Sequence, residues 1–354
     1  MTRYRAPAFW WRRRSLAGLA LSPLGSAYGR VSGRRMAAGL GVSVGVPIIC
    51  IGNLVLGGAG KTPTAIEVAN VCRQLRLNPG FLSRGYGGRE AGPVLVSHAI
   101  HTASDVGDEP LLLARHAPTV VAADRPSGAK LLASIGVDVI IMDDGFQNPS
   151  LAKDLSLIVI DAARGIGNGF IFPAGPLRGP AAAQIRRADA LVLLGQGKPG
   201  ASVRVAARAG RTLMRAHVEA VRRSGLDRQP YLAFAGIADP GKFFATLSAA
   251  GAEVGFTMRF PDHHLFSDAD CERILVQAAG RGLIPITTEK DRVRLDGRGG
   301  AAERLAAATE IFPIRVCFEE PRRLQALIGD TVAAYGSAYR RRTFIPPGEG
   351  SVPA

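Results

Sequence analysis

Gly60, Lys61 and Thr62 stand in a row at the end of Gly57-Gly58-Ala59-Gly60-Lys61-Thr62. Residues of these types, so spaced, suit the binding of a nucleotide's phosphates. Gly57, Gly58 and Gly60 let backbone N–H groups turn toward an anion, and a helix starting here adds partial positive charge. Lys61 then reaches the β- and γ-phosphates, and the Thr62 hydroxyl is a ligand for Mg²⁺. The usual pattern places a further glycine where this chain has Val55. An acid pair, Asp143-Asp144, closes the apolar run that begins at Val137. Beside a phosphate loop it reads as the acid-bearing strand, one acid holding Mg²⁺ directly or through water. Asp108-Glu109 supports two readings: acids that cap a helix start, or a carboxylate placed as a general base. Arg84 and Tyr86, in the glycine-rich stretch Ser83-Arg84-Gly85-Tyr86-Gly87, are candidates for contact with nucleotide or substrate.

The elements around these residues must hold them together. Residues 46–51 form an apolar run of strand character, and residues 64–75 have the apolar spacing of a helix. Strand, glycine loop and helix in that order are the context a phosphate loop needs. Further strands are predicted at 119–123, 137–142, 155–161 and 188–194, with helices between several of them. This alternation predicts an α/β fold: a P-loop NTPase-like parallel sheet with helices on both faces. A smaller second α/β domain starts at Tyr231-Leu232-Ala233-Phe234-Ala235. The expected division is a basic segment 1–35, a P-loop domain 36–210, a connector strand 211–225, a second domain 226–320, a helix 321–338 and a disordered tail 339–354. One strand is expected over 311–318. The loop 163–178, rich in Gly and Pro, is long enough to be functional or disordered.

The 354 residues carry a net charge of +15, and no Asp or Glu precedes Glu67, while eight arginines fall in the first 35 positions. Such a chain wants an anionic partner. The segment Phe9-Trp10-Trp11-Arg12-Arg13-Arg14 followed by an apolar run broken at Pro23 is too short to span a bilayer. It reads as an interfacial helix, with tryptophans at headgroup level, arginines on anionic lipid and leucines shallowly buried. Scattered arginines without interleaved aromatics argue against a nucleic-acid partner. Cys50, Cys72, Cys271 and Cys317 show no C-x-x-C spacing, which fits a reducing compartment and no disulfide framework.

Together these motifs resemble the tetraacyldisaccharide 4'-kinase family of Gram-negative lipid A synthesis. The resemblance rests on Gly52-Asn53-Leu54 through Pro63, on residues 83–87, and on Gly107-Asp108-Glu109-Pro110. It continues through Asp143-Asp144-Gly145-Phe146-Gln147, Arg164-Gly165, Gly167-Asn168-Gly169 and Pro173-Ala174-Gly175-Pro176-Leu177-Arg178. In the second half it rests on Phe260-Pro261-Asp262-His263-His264 and Thr288-Glu289-Lys290-Asp291. It implies phosphate transfer from ATP, with Mg²⁺, to the 4'-hydroxyl of a tetraacylated disaccharide 1-phosphate, giving lipid IVA. It implies peripheral attachment to the cytoplasmic face of the inner membrane through the N-terminal segment, by a protein expected to be monomeric. Carried over residue by residue, Asp108 acts with a second-domain histidine, His263 or else His264, and Lys61 serves the phosphates. Gly57, Gly58, Gly60, Lys61, Thr62 and Tyr86 face the nucleotide. Asn53, Arg84, Glu109, Gln147 and Arg178 face the substrate, and Thr62, Asp143 and Asp144 face the metal. The chain departs from the family pattern at Asn148 and Gly179. A competing reading is a P-loop GTPase or ATPase switch of metal-chaperone type, although the sequence lacks an Asn-Lys-x-Asp guanine signature.

Overall fold

The computed structural model describes residues 6–12, 15–37, 41–197, 200–221, 226–227 and 229–343. Arg13 and Arg14 of the basic cluster, and residues 344–354 of the expected tail, lie outside the described residues. The strands are β1 Ile48–Asn53, β2 Pro79–Ser83, β3 Val94–Leu95, β4 Thr119–Val121, β5 Val139–Asp143, β6 Leu155–Asp161, β7 Ala190–Leu194 and β8 Thr212–Ala220. They continue as β9 Tyr231–Ala235, β10 Val254–Arg259, β11 Ile284–Thr288, β12 Glu310–Phe312 and β13 Ile314–Phe318. The helices are α1 Leu16–Ala37, α2 Lys61–Gln74, α3 Ala103–Val106, α4 Asp108–Ala114, α5 Arg125–Ser134 and α6 Ala181–Arg187. After them come α7 Ala201–Arg208, α8 Pro240–Ala249, α9 Asp268–Ala279, α10 Glu289–Arg292, α11 Gly300–Ala308 and α12 Pro321–Thr343.

Nine strands form the large sheet, in the order β13-β8-β7-β6-β1-β5-β2-β4-β3. Its pairs are parallel except β13 with β8 and β3 with β4. Strands β1, β2, β5 and β7 are buried along their whole length, as expected of parallel strands covered on both faces. One face packs Val68, Ala69 and Cys72 of α2 and Leu324 and Ile328 of α12. The other packs Ala129 and Leu132 of α5, Ile185 of α6 and Ala206 of α7. Strand order reverses beside β1, so the loop after β1 opens at the carboxyl edge, where open α/β sheets bind ligands. A second, four-stranded parallel sheet has the order β10-β9-β11-β12.

Two expected boundaries move. The single strand over 311–318 is two strands: β12 pairs with β11 in the small sheet, and β13 pairs with β8 in the large one. Pro313, which has no N–H for a ladder, sits at the break. The 211–225 segment is therefore more than a connector. It supplies β8 of the large sheet, and the chain returns to that sheet after the small domain. The last helix also runs past 338 to Thr343, into the segment expected to be disordered.

The N-terminal segment is a 3₁₀ turn, Ala8–Trp11, and then α1. Pro23 does not break α1. Proline cannot bond the carbonyl of Leu19, and the Ser22 hydroxyl takes that carbonyl instead at 2.8 Å. One face of α1, Gly18, Gly25, Gly29 and Met36, is buried. A Cβ on Gly25 would stand 2.6 Å from the Ile171 carbonyl oxygen, so glycine is what allows the close approach. The opposite face leaves Leu16, Leu19, Leu24, Tyr28 and Val31 exposed. Trp10 departs from the interfacial expectation. It is buried, its indole donates to the Pro173 carbonyl at 3.1 Å, and its ring meets Phe172 edge-on. The 163–178 loop is thus ordered, docking the N-terminal segment on one side. On the other, the Arg178 N–H donates to the Leu54 carbonyl at 2.9 Å, next to the phosphate loop.

Candidate active site

β1 delivers the chain into the phosphate loop, and Lys61 is the first residue of α2. Gly60, the residue before it, has φ 83°, and a Cβ there would lie 2.2 Å from Leu194 Cδ2, so the turn requires glycine twice over. Asn53 Nδ2 donates to the Gly57 carbonyl at 3.1 Å, and the Thr64 hydroxyl to the Gly60 carbonyl at 2.8 Å. Val55, where the common pattern has glycine, forms an antiparallel bridge with Leu177. Its carbonyl accepts from Arg178 Nε at 3.1 Å.

The two acids at the end of β5 have different surroundings. Asp143 is buried and accepts the Thr62 hydroxyl on Oδ2 at 2.9 Å, while Oδ1 has no partner. Burial pushes its carboxyl up to about 7; the nearby Glu109 charge adds to this and Lys61 opposes it. Asp144 is gripped by Arg178 through two bonds of 2.8 and 2.9 Å, with Lys61 Nζ at 3.6 Å. Burial pushes its carboxyl up, but Lys61 and Arg178 outweigh this and hold it below the usual range.

Three residues expected to face substrate make hydrogen bonds around the phosphate loop. Asn53 is fully buried beneath the loop, and Gln147 donates to the Asn53 carbonyl at 2.8 Å and to Gln184 at 3.0 Å. Arg178 is committed to Asp144 and Val55. These bonds brace the loop and the acid pair, while Asn53 Oδ1 has no partner.

A second centre forms where α4 meets the small domain. Asp108 and Glu109 open α4, and Asp108 is buried. His263 Nδ1 lies 2.9 Å from Asp108 Oδ2 and 3.2 Å from Oδ1. Arg294 Nε donates to Oδ2 at 2.7 Å, and Lys290 Nζ donates to Glu109 at 2.9 Å. Burial pushes Asp108 up, but Lys290, the His263 hydrogen bond and the Arg294 charge hold it well below the ordinary carboxylate range. Glu109 is also pushed up by burial and brought down overall, chiefly by Lys290 and with help from Lys61. The Lys61 charge lowers Glu109, and the Glu109 charge raises Asp143, so the start of α4 lies within electrostatic reach of the phosphate loop. Tyr86 is exposed, with its ring 5.6 Å from that of His263, and Arg84 is exposed.

Of the two neighbouring histidines it is His263 that meets Asp108. His264 stacks on Phe260 and bonds Asp270 at 2.9 Å, inside the small domain. His263 adopts φ 54°, a left-handed conformation held by its N–H bond to the Gly236 carbonyl at 3.0 Å. Sequence reasoning missed Arg294 altogether and met Lys290 only as part of a quoted motif. It also passed over Arg125, buried at the start of α5, whose Nη1 bonds the Ala122 carbonyl and whose Nε has no partner.

A mostly parallel sheet with a glycine loop, lysine and threonine at a helix start and an acid pair on the neighbouring strand defines a P-loop nucleotide-binding protein. Residues 17–333 match the family described as Tetraacyldisaccharide-1-P 4'-kinase. A relative named tetraacyldisaccharide 4'-kinase, from Methylobacterium nodulans, is 50% identical over 338 residues, covering 94% of this chain and 97% of its own. One of the same name from Bradyrhizobium sp. (strain BTAi1) is 48% identical over 346 residues, covering 96% and 98%. A crystal structure of "apo" form LpxK from Aquifex aeolicus in complex with ATP superposes with a TM-score of 0.70 at 28% identity, covering 90% of this chain and 100% of that one. This chain belongs to the tetraacyldisaccharide-1-P 4'-kinase family, and it is a kinase.

Proposed function

We propose that this protein transfers the γ-phosphoryl group of ATP to the 4'-hydroxyl of a tetraacylated disaccharide 1-phosphate, with Asp108 as the acceptor of the hydroxyl proton. The observation that carries the assignment of Asp108 is its meeting with His263 of the small domain, at a helix start whose Glu109 is within electrostatic reach of Lys61 and Asp143. Phosphoryl transfer asks a protein chiefly for positioning and charge. Gly57, Gly58 and Gly60 with the start of α2 cradle the phosphates, and Lys61 offsets the charge that moves to the leaving oxygen. Asp108 orients the hydroxyl and takes its proton, a contribution of about 10²–10⁴-fold for a positioned base. His263 orients Asp108. With Nδ1 donating to Asp108, its Nε2 is free to accept from Lys290 Nζ, 3.4 Å away.

The residues present fit a divalent cation. Asp143 keeps an unpartnered oxygen beside the Thr62 hydroxyl, whereas Asp144 is already neutralised by Arg178 and Lys61, so Thr62 and Asp143 would hold the ion. Bound Mg²⁺ would supply charge neutralisation at the phosphates. The small domain covers the site: Ala238 lies against the phosphate loop, its Cβ 3.3 Å from where a Gly58 Cβ would stand. Such cover protects a kinase from wasting ATP on water.

Among the described residues no helix is long and apolar enough to cross a membrane. The exposed leucine face of α1, with Arg12, Arg30, Arg34 and Arg35 around it, supports attachment to an anionic lipid surface, where an acylated substrate resides. The cytoplasmic face of the inner membrane suits it, because ATP is found there. The deciding assay measures transfer of labelled γ-phosphate from ATP to detergent-dispersed lipid disaccharide. ATP hydrolysis without lipid phosphorylation would overturn the proposal and favour a switch-type ATPase.

A further inference from the structure

Arg294 stands directly behind Asp108, 1% exposed, in the turn that follows α10. We propose that Arg294 is a positioning residue for phosphoryl transfer: reaching across from the small domain, it occupies one carboxylate oxygen of Asp108 so that the other is presented to the acceptor hydroxyl. This rests on the reading of Asp108 given above.

The two oxygens are used unequally. Oδ2 receives Arg294 Nε at 2.7 Å and the shorter His263 contact at 2.9 Å, and Arg294 Nη2 lies 2.5 Å from it. Oδ1 receives only the Glu109 N–H at 2.9 Å and the longer His263 contact at 3.2 Å. A carboxylate oxygen offers about two acceptor directions. The one His263 N–H goes to Oδ2 by the shorter arm, so Oδ2 is full with Arg294, and Oδ1, holding the Glu109 N–H, keeps capacity for one more donor. The guanidinium is itself fixed. Nη1 donates to Asp291 Oδ1 at 2.6 Å and to the Gly236 carbonyl at 2.7 Å. Asp291, fully buried, is held by the Gly236 N–H at 3.0 Å and the Thr288 hydroxyl at 2.7 Å. The Gly236 carbonyl also accepts the His263 N–H at 3.0 Å. One peptide group just past β9 thus sets the position of both donors to Asp108, two residues before the Ala238 that faces the phosphate loop.

Charge follows from this placement. Arg294, His263 and Lys290 face Asp108 from the small domain. Glu109 lies beside it, and Asp262 and Asp291 act on the cations from behind. Asp108 stays ionised and accepts a hydrogen bond from the hydroxyl before it accepts the proton. A loose transition state suits this order, because the attacking oxygen keeps its proton until late. As the 4'-oxygen bonds the γ-phosphorus, the bond to the ADP oxygen breaks, and the hydroxyl proton passes to Oδ1 and then to solvent.

Arg294→Lys and Arg294→Gln, as full chains, are to be assayed for lipid phosphorylation beside wild type from about pH 5 to 9. Each should lose about 10–10²-fold in kcat, the scale set by a displaced reacting group, with ATP KM changed by less than about threefold. Loss of the guanidinium raises the proton affinity of Asp108, so the acid limb of kcat should move to higher pH, farther in Arg294→Gln. A folded variant with wild-type kcat, or one with lowered kcat and an unmoved acid limb, overturns the proposal. Should neither variant fold, wild type carries the test. The infrared carboxyl band of isotope-labelled aspartate that is missing in Asp108→Asn should be ionised down to acid unfolding, and a protonated Asp108 at about pH 5 overturns the proposal. That band is read without turnover, so it separates this inference from a failure of wild type to phosphorylate the lipid.

Discussion

Replacing Leu16, Leu19 and Leu24 of α1 by serine should weaken membrane binding and leave the fold intact. These side chains are 86%, 57% and 61% exposed, so they contribute little to packing and together offer about two leucines' worth of apolar surface. Full burial of a leucine is worth about 1.5–3 kcal/mol. An interfacial helix sinks only its outer face, so half of that is a fair share, giving about 1.5–3 kcal/mol for the triple change. At 1.4 kcal/mol per decade, vesicle partitioning falls roughly 10- to 100-fold. Co-sedimentation with anionic and with neutral vesicles measures it. High salt should remove the part due to Arg12, Arg30, Arg34 and Arg35 and leave the leucine part, because screening does not act on apolar burial. A triple variant that sediments as wild type does, with an unchanged melting temperature, refutes the assignment of this face to lipid.

Lys61→Ala should cost about 10²–10³-fold in turnover without a change in melting temperature, since its charge serves the phosphates; wild-type turnover would remove it from the site. Asp108→Ala should lower kcat about 10²-fold or more, and adding His263→Ala should cost little further, because the two act as one unit; fully additive losses in the double mutant would show separate roles. His264→Ala should spare turnover and lower thermal stability instead, since that ring packs on Phe260 and bonds Asp270; a kinetic loss equal to that of His263→Ala would contradict this. Asp143, raised to about 7, binds a proton in the folded metal-free protein at pH values where the unfolded chain has already lost it. This stabilises the fold at low pH and is lost as pH climbs from about 4 through 7. A cation must displace that proton, so thermal stabilisation by Mg²⁺ should be larger at pH 8 than at pH 6, and should lose this dependence in Asp143→Asn.

The phosphate loop was legible because its signal is local: strand, glycines, lysine and helix lie within about thirty residues. The Asp143-Asp144 pair was legible as an acid pair, but not its division of labour. That division depends on Arg178, which arrives from a loop 34 positions downstream. The Asp108–His263 contact spans 155 positions, so only family resemblance could suggest it, and only the fold could choose between His263 and His264. Arg294 gave no signal, being one arginine among many in a basic chain. Pro313 and Pro23 misled in opposite directions. The first divides what periodicity joins, and the second sits in a helix because Ser22 takes the carbonyl it leaves unbonded. Asn53, Gln147 and Arg178 were read as facing substrate on the family resemblance. The bonds they make to the loop and the acid pair come from long-range packing that the motif does not show.

The small domain leaves the large sheet after β8 and rejoins it at β13, and these strands lie side by side from Ile314↔Ala220 to Phe318↔Ala216. At the exit the Val221 N–H bonds the Pro313 carbonyl at 3.0 Å, clasping the two crossings together. A body joined through one strand is held at one point, whereas one joined through two adjacent strands is held at two, like a door on a pair of pins. Sliding sideways or turning about its own axis would shear the ladder. The same paired crossings fix where the domain that carries His263 and Arg294 is anchored, far from the contacts those side chains make with Asp108.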